Sequence, residues 1–142
     1  MSALNLEQAR MIRDGALRHA AHLGLKPLAV AVLDAGAHVI ALERQDGAAH
    51  LRNGLAIAKA AGALGMGMSS RAIGQIAEER PAFFGALVGI APLGIIPAAG
   101  GILISDPSGA TLGAVGVSGD LSDRDEECAL AGAAAAGLHA SP

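Results

Sequence analysis

The stretch from Ala98 to Glu127 constrains the fold more than any other part of the sequence. Two apolar runs flank Asp106-Pro-Ser-Gly109, in which proline and glycine stand at positions typical of a tight turn. The second run, Thr111 to Val117, leads through a glycine-containing bend into a segment rich in carboxylates. Carboxylates favour the first turn of a helix because they interact well with its dipole. The stretch therefore predicts a β-hairpin, formed by Gly101–Ser105 and the second run, followed directly by a helix.

A second hairpin is predicted earlier in the chain, from Leu28–Leu33 and His38–Glu43, which flank the turn sequence Asp34-Ala-Gly36. A helix over Ala48–Leu64 follows, with Asp46 as its expected N-cap. Each hairpin thus leads into a helix. We expect the two exits, at 44–46 and 118–126, to lie near each other or near a neighbouring subunit's copy and to form the candidate pocket.

Three further helices or strands are predicted from local signals. Asn5 and Gln8 have the spacing of a capping box, and the helix that they begin is expected to end at Gly24. Ser69 or Ser70 should begin a short helix over residues 71–79. Residues 86–90 are predicted to form a short strand or a loop.

The order helix, hairpin, helices, hairpin, helix is typical of an α+β fold, in which helices pack on an antiparallel sheet. We expect about five strands, with N-terminal, central and C-terminal helices. The 142 residues have the usual length of one domain, so we expect a single domain over residues 1–142.

Composition excludes several classes of function and favours assembly. Hydrophobic residues make up 52% of the chain, and this surplus predicts a homo-oligomer, because exposed apolar surface is usually covered by partners. No apolar run reaches the roughly 18 residues needed to cross a membrane. The net charge of −3 and the absence of Trp and Tyr argue against nucleic-acid binding. Cys128 is the only cysteine and the first residues do not resemble a signal peptide, so we expect a cytoplasmic protein.

Five side chains at or near the two exits are candidates for chemistry. Arg44 is suited to gripping a carboxylate in a bidentate way, beside Asp46, although a surface contact is the plainer interpretation. Lys59 lies inside an alanine-rich helix, where it would pair with a carboxylate, position a substrate or act as a nucleophile. Asp125 and Glu126 are candidates for moving a proton if burial raises their pKa values. The alternative for this pair is helix capping, with Ser122 in the cap, together with salt bridges to Arg44, Arg52 or Lys59.

Glycines mark a place where a ligand or another backbone can approach closely. Gly100 and Gly101 have no Cβ, and tight packing between subunits explains them equally well. Gly119 and the start of the last helix form a candidate anion site, although the acidic first turn opposes a strongly anionic ligand. No catalytic Ser-His-Asp motif, phosphate loop, dinucleotide fingerprint or zinc spacing is present.

Four segments taken together resemble the GlcG/HbpS-like family, which includes haem-binding proteins and the C-terminal domain of PduO-type cobalamin adenosyltransferases. These segments are the opening Leu6-Glu-Gln-Ala9 helix, Val30 to Ala48, Ala56 to Ala63 and Ala98 to Gly132. The resemblance implies a profilin- or PAS-like architecture, a homo-oligomer that is often an octamer, and haem or corrinoid ligands. Asp125 and Glu126 match a recurrent Asp-Glu pair of that family.

Three functions remain open at this point. The first is a small-molecule-binding oligomer, with haem as the candidate cofactor and His19 or His22 as its axial ligand; a core or interface role is the alternative for these histidines. The second is a cofactor-independent catabolic tautomerase, isomerase or lyase for a small carboxylate-bearing metabolite. In that enzyme, Arg44 would hold the acid and Asp125 or Glu126 would move a proton. The third is a structural or accessory assembly module.

Overall fold

The structure is a computed structural model, and it describes residues 3–142. Over that range the chain forms five helices and five strands. In chain order they are α1 (Leu6–Leu23), β1 (Ala29–Asp34), β2 (Val39–Arg44), α2 (Leu51–Met66), α3 (Ser70–Glu79), α4 (Pro81–Val88), β3 (Gly101–Ser105), β4 (Thr111–Ser118), α5 (Ser122–Ala135) and β5 (His139–Ser141). The α+β class and the antiparallel five-stranded sheet are confirmed.

The sheet places the two hairpins side by side. Its strand order is β2-β1-β4-β3-β5, and every neighbouring pair is antiparallel. Ala29, at the start of β1, lies opposite Arg44 on one side and Ser118 on the other. The last strands of the two hairpins, β2 and β4, therefore finish at the same end of the sheet with only β1 between them, as the sequence predicts.

Helices cover both faces of the sheet. Successive side chains of a strand point to opposite faces, so β1 divides its residues between two cores. Val30 and Val32 pack with α1 and α5, whereas Ala31 and Leu33 pack against α2. The core on the α2 side consists mainly of alanines, which let the helix backbone come close to the sheet.

Several helix ends follow the local signals. The Asn5 side chain accepts from Gln8 N at 2.8 Å, and Gln8 Oε1 accepts from Asn5 N at 3.1 Å. Gly24 ends α1 with φ +66°, a left-handed conformation that glycine adopts without strain. Ser69 caps α3 by accepting from Ala72 N at 3.2 Å.

Two local predictions in the middle of the chain were wrong. Asp46 does not cap α2, because a turn closed by Ala48 N and Gln45 O intervenes and the helix begins only at Leu51, after an N-cap His50 that makes no side-chain hydrogen bond. Residues 86–90 do not form a strand or a loop, because most of them belong to α4. Pro81 occupies the first position of that helix, where its missing N–H and fixed φ are tolerated.

No helix within residues 3–142 is both long enough and apolar enough to cross a membrane.

Candidate functional site

A buried ion pair joins the two helical layers at the end of the sheet where β2 and β4 finish. Lys59 extends from α2, and its Nζ lies 3.2 Å from Asp125 Oδ2 on α5. The same Nζ donates to Val117 O at 3.0 Å, so the ammonium group is also fixed to the sheet. The two side chains are only 5% and 1% exposed. Through its ammonium group Lys59 therefore links α2 to both β4 and α5.

The Asp125 carboxylate is fully engaged by the chain. Besides Lys59, it accepts from Gly119 N at 3.3 Å and from Asp120 N at 3.0 Å. This carboxylate fixes the bend between β4 and α5. Ser122 is the first residue of α5 and not its cap; the N-cap is Leu121, which makes no side-chain cap hydrogen bond. The predicted Ser122 cap was therefore wrong.

Burial dominates the electrostatics of this pair. Loss of solvent raises the pKa of Asp125 and lowers the pKa of Lys59, because each charged form is poorly solvated in the interior. The attraction between the two charges, and the backbone N–H groups that face Asp125, act in the opposite direction. Each charge is consequently tolerated because the other is present.

The glycine pair before β3 provides room for Lys59. Gly100 has φ +131°, and a Cβ there would lie 2.7 Å from Lys59 Nζ and 2.6 Å from Val117 O. A Cβ on Gly101 would lie 2.3 Å from the Lys59 carbonyl oxygen. The space beside both glycines is thus filled by α2 of the same chain.

Glu126 faces a different partner, Arg71 of α3. Arg71 Nε lies 3.0 Å from Glu126 Oε2, and its Nη2 group binds Glu126 Oε1 and Asp123. These hydrogen bonds raise the pKa of Arg71. The cluster borders an open groove of about 430 Å³ between α3, the loop before β3 and the start of α5.

Arg44 and Asp46 line an open groove of about 550 Å³ at the exit of β2, together with Leu25 and Pro27. Arg44 Nη1 donates to Ala48 O at 2.7 Å. Within residues 3–142 Arg44 forms no ion pair with Asp125 or Glu126. Arg44, the predicted carboxylate-holding residue, therefore does not contact Asp125 or Glu126, the predicted proton carriers, although all three lie near the same end of the sheet.

His19 and His22 line a groove of about 510 Å³ on the outer surface, between α1 and α5. Its other lining residues are Gly15, Arg18, Ala131, Ala134 and Ala135. His19 is half-buried, and its Nε2 lies 3.6 Å from Glu127 Oε2, while His22 is exposed. The buried face of α1 is formed instead by residues such as Ile12 and Ala16.

Two arginines that were not predicted to be site residues take part in these arrangements. Arg71 binds Glu126, and Arg52 Nη1 donates to the buried Ser118 Oγ at 3.1 Å. Both lie in the first turn of a helix that has no acidic residue there. A cation is unfavourable at that end of the helix dipole. This local conflict is the signal that could have identified them as residues held by tertiary partners.

Cys128 and metal binding offer no further site. Burial raises the pKa of the Cys128 thiol to about 12, which keeps it protonated and unreactive. Within residues 3–142 no group of three or more His, Cys, Asp or Glu side chains is placed to hold a metal ion.

A family model described as "Haem degrading protein HbpS-like" matches residues 4–134, which is most of the chain. The chain belongs to the HbpS-like family. The resemblance inferred from the four sequence segments is thereby confirmed. No curated protein matches the chain significantly.

Solved structures reproduce the HbpS-like fold over nearly the whole chain. Crystalline HbpS superposes with a TM-score of 0.81 at 27% identity, covering 94% of this chain and 90% of that one. A PduOC:Heme complex has a TM-score of 0.86 at 22% identity, covering 97% and 98%. The Klebsiella pneumoniae protein ORFY has a TM-score of 0.87 at 20% identity, covering 96% and 92%. At their lower identities, the last two show the fold alone.

Proposed function

We propose that this HbpS-like protein binds a small molecule and that the ligand is haem or a related tetrapyrrole. The observation that carries the proposal is the groove between α1 and α5, where two imidazoles and a guanidinium surround a floor of alanine and glycine. The family description and the haem held by the PduOC structure support the same ligand class. Of the three functions that the sequence left open, the family relation therefore favours small-molecule binding.

The groove fits a flat macrocycle with acidic side chains. Ala131, Ala134 and Ala135 present only methyl groups, so a planar ring can lie close to the helix surface. Histidine is a common axial ligand of haem iron. Arg18 would pair with a propionate. When bound, haem would supply the iron-centred chemistry, and these side chains would hold and orient it.

Haemin titration of the purified protein is the test of this site. We expect a red-shifted Soret band in the wild type, which is weakened at least severalfold in His19→Ala or His22→Ala because the iron loses an axial ligand. His50→Ala is the matched control, since His50 is exposed and lies at the start of α2. An unchanged spectrum in both test variants would remove the axial assignment, and no Soret shift in the wild type would remove haem.

The homo-oligomer, with the octamer as its predicted form, is part of the same proposal. Helix α4 is strongly apolar, yet none of its residues is buried in the monomer. Val88 is 54% exposed and Ile90, just beyond the helix, is 78% exposed. Apolar surface of this kind is usually covered by partners.

Light scattering coupled to size-exclusion chromatography tests the assembly. We expect the wild type to elute as an oligomer and a Val88→Asp, Ile90→Asp variant to shift to smaller species, because two charges would be buried at the contact. His50→Asp adds one carboxylate at an exposed position away from α4 and should leave the mass unchanged. A monomeric wild type, or a double variant of unchanged mass, would contradict a contact through α4.

The other interpretations remain alternatives. An enzyme using Arg44 and Glu126 would lose activity in an Arg44→Ala, Glu126→Gln double variant, and an assembly module would bind no small molecule at all.

The buried, protonated Cys128 is consistent with a reducing compartment, and we propose the cytoplasm. We also propose that residues 1–142 form one domain.

A further inference from the structure

Two cations near the end of the sheet where β4 finishes lack a carboxylate partner. Lys26 and Arg52 line a pocket of about 480 Å³ together with Gly119, Asp120 and Leu121. Within residues 3–142 neither cation has a carboxylate oxygen within the 4.0 Å distance of an ion pair. Lys59 and Arg71, by contrast, both have carboxylate partners.

Arg52 is held in place without being neutralised. Its side chain is half-buried in the first turn of α2, and among residues 3–142 its one side-chain hydrogen bond runs to Ser118 Oγ at 3.1 Å. Ser118 is completely buried, so this bond fixes the orientation of the guanidinium. Arginine has five N–H donors in a planar fork, which leaves several of them available. A partly desolvated cation with unused donors is costly unless an anion pairs with it.

Nearby carboxylates are already committed. Asp125 is paired with Lys59, and that pair is neutral as a unit. Asp120 lines the pocket, but its Oδ2 accepts from Lys26 N at 2.9 Å and its Oδ1 accepts from Leu121 N at 2.7 Å. With Lys26, Arg52 and Asp120 ionised, the lining has a formal charge of +1, which matches a single negative charge.

We propose that this pocket binds a small organic monocarboxylate. The carboxylate would accept from the free N–H groups of Arg52 and gain from the charge of Lys26. The apolar part of the ligand would lie against Leu121, which is 73% exposed in the monomer. The proposal is independent of haem, because the haem groove is lined by different residues.

Calorimetric titration with sodium benzoate tests the pocket, with benzamide as the uncharged analogue of the same shape. We expect benzoate to bind at millimolar concentration or below, and benzamide to bind at least about 10-fold more weakly, because it cannot form charge-assisted hydrogen bonds. Arg52→Gln should weaken benzoate binding by about 10-fold or more, because it removes the charge and the fork of donors while keeping a polar side chain. Lys26→Gln, at an exposed side chain with no ion pair to lose, should weaken it severalfold.

Arg10→Gln is the matched control, since Arg10 is exposed on α1 and its loss changes the net charge equally. It should leave benzoate binding unchanged. Backbone amide shifts should locate the ligand near Arg52 and Gly119–Leu121. The proposal would be overturned by benzoate and benzamide binding equally, by an unchanged affinity in both Arg52→Gln and Lys26→Gln, or by no benzoate binding at all.

Discussion

A Lys59→Met variant is expected to lose about 3–5 kcal/mol of its free energy of unfolding, the typical cost of leaving one buried charge unpaired. Asp125 would remain 1% exposed with no cation beside it, and Val117 O would lose its contact with Nζ. Methionine fills a similar volume, so the loss would be electrostatic more than steric. Urea unfolding at neutral pH, followed by circular dichroism, measures this change.

The double variant Lys59→Met, Asp125→Asn separates the charge effect from simple packing damage. Asparagine keeps an oxygen that can accept from Gly119 N or Asp120 N, but it has no charge to bury. The double variant should therefore be more stable than Lys59→Met alone. Lys26→Met, at an exposed lysine, should change stability by no more than about 0.5 kcal/mol. Wild-type stability in Lys59→Met, or a double variant whose losses simply add, would refute this role of the ion pair.

A Gly116→Ala variant is expected to be destabilised by about 3 kcal/mol or more, at or beyond the usual upper range for overpacking. Gly116 lies in β4 beneath α2, and a Cβ there would stand 1.9 Å from the Ala56 carbonyl oxygen and 3.0 Å from Ala60 N. Both atoms belong to the helix backbone, so no side-chain rotation can relieve the clash. The helix would have to move away from the sheet, and the Lys59–Asp125 contact would loosen with it.

Gly54→Ala is the matched control for this substitution. Gly54 lies in α2 itself, and apart from its chain neighbours and the adjacent backbone of that helix no atom of residues 3–142 lies within 4 Å of the position that its Cβ would take. Alanine should stabilise the helix there by about 0.5–1 kcal/mol, because glycine has more backbone entropy to lose. Thermal unfolding of both variants gives opposite expected signs. Equal stability of Gly116→Ala and the wild type would contradict the close packing of α2 on the sheet.

Features decided by neighbouring residues were predictable from the sequence. The Asn5–Gln8 capping box and the Asp106–Gly109 turn depend on groups within four positions, and both form as expected. The two hairpins were predictable because runs of strand length flank typical turn residues in each. Helix α4 was missed because Pro81 also suits the end of the preceding helix and glycines interrupt the residues after Phe83, whereas in the structure Pro81 stands at the start of α4, where proline is tolerated.

Features decided by distant residues were not predictable in the same way. Lys59 and Asp125 are 66 positions apart, and Arg71 and Glu126 are 55 apart. The sequence identified three of these four as chemically notable and placed Lys59 among three possible partners of the carboxylates, but it gave no means of choosing between those partners and did not include Arg71. Arg52 was predicted only as a possible partner of the carboxylates, because its actual partner, Ser118, is an ordinary strand residue and only the fold brings the two together.

A crystal structure of the protein grown with haemin tests the proposed function most directly. We expect a planar ligand in the groove between α1 and α5, lying on the alanine floor, with its iron bound by an imidazole nitrogen of His19 or His22. Arg18 would face a propionate. Haem density at any other place on the chain, with that groove empty, would contradict the assignment.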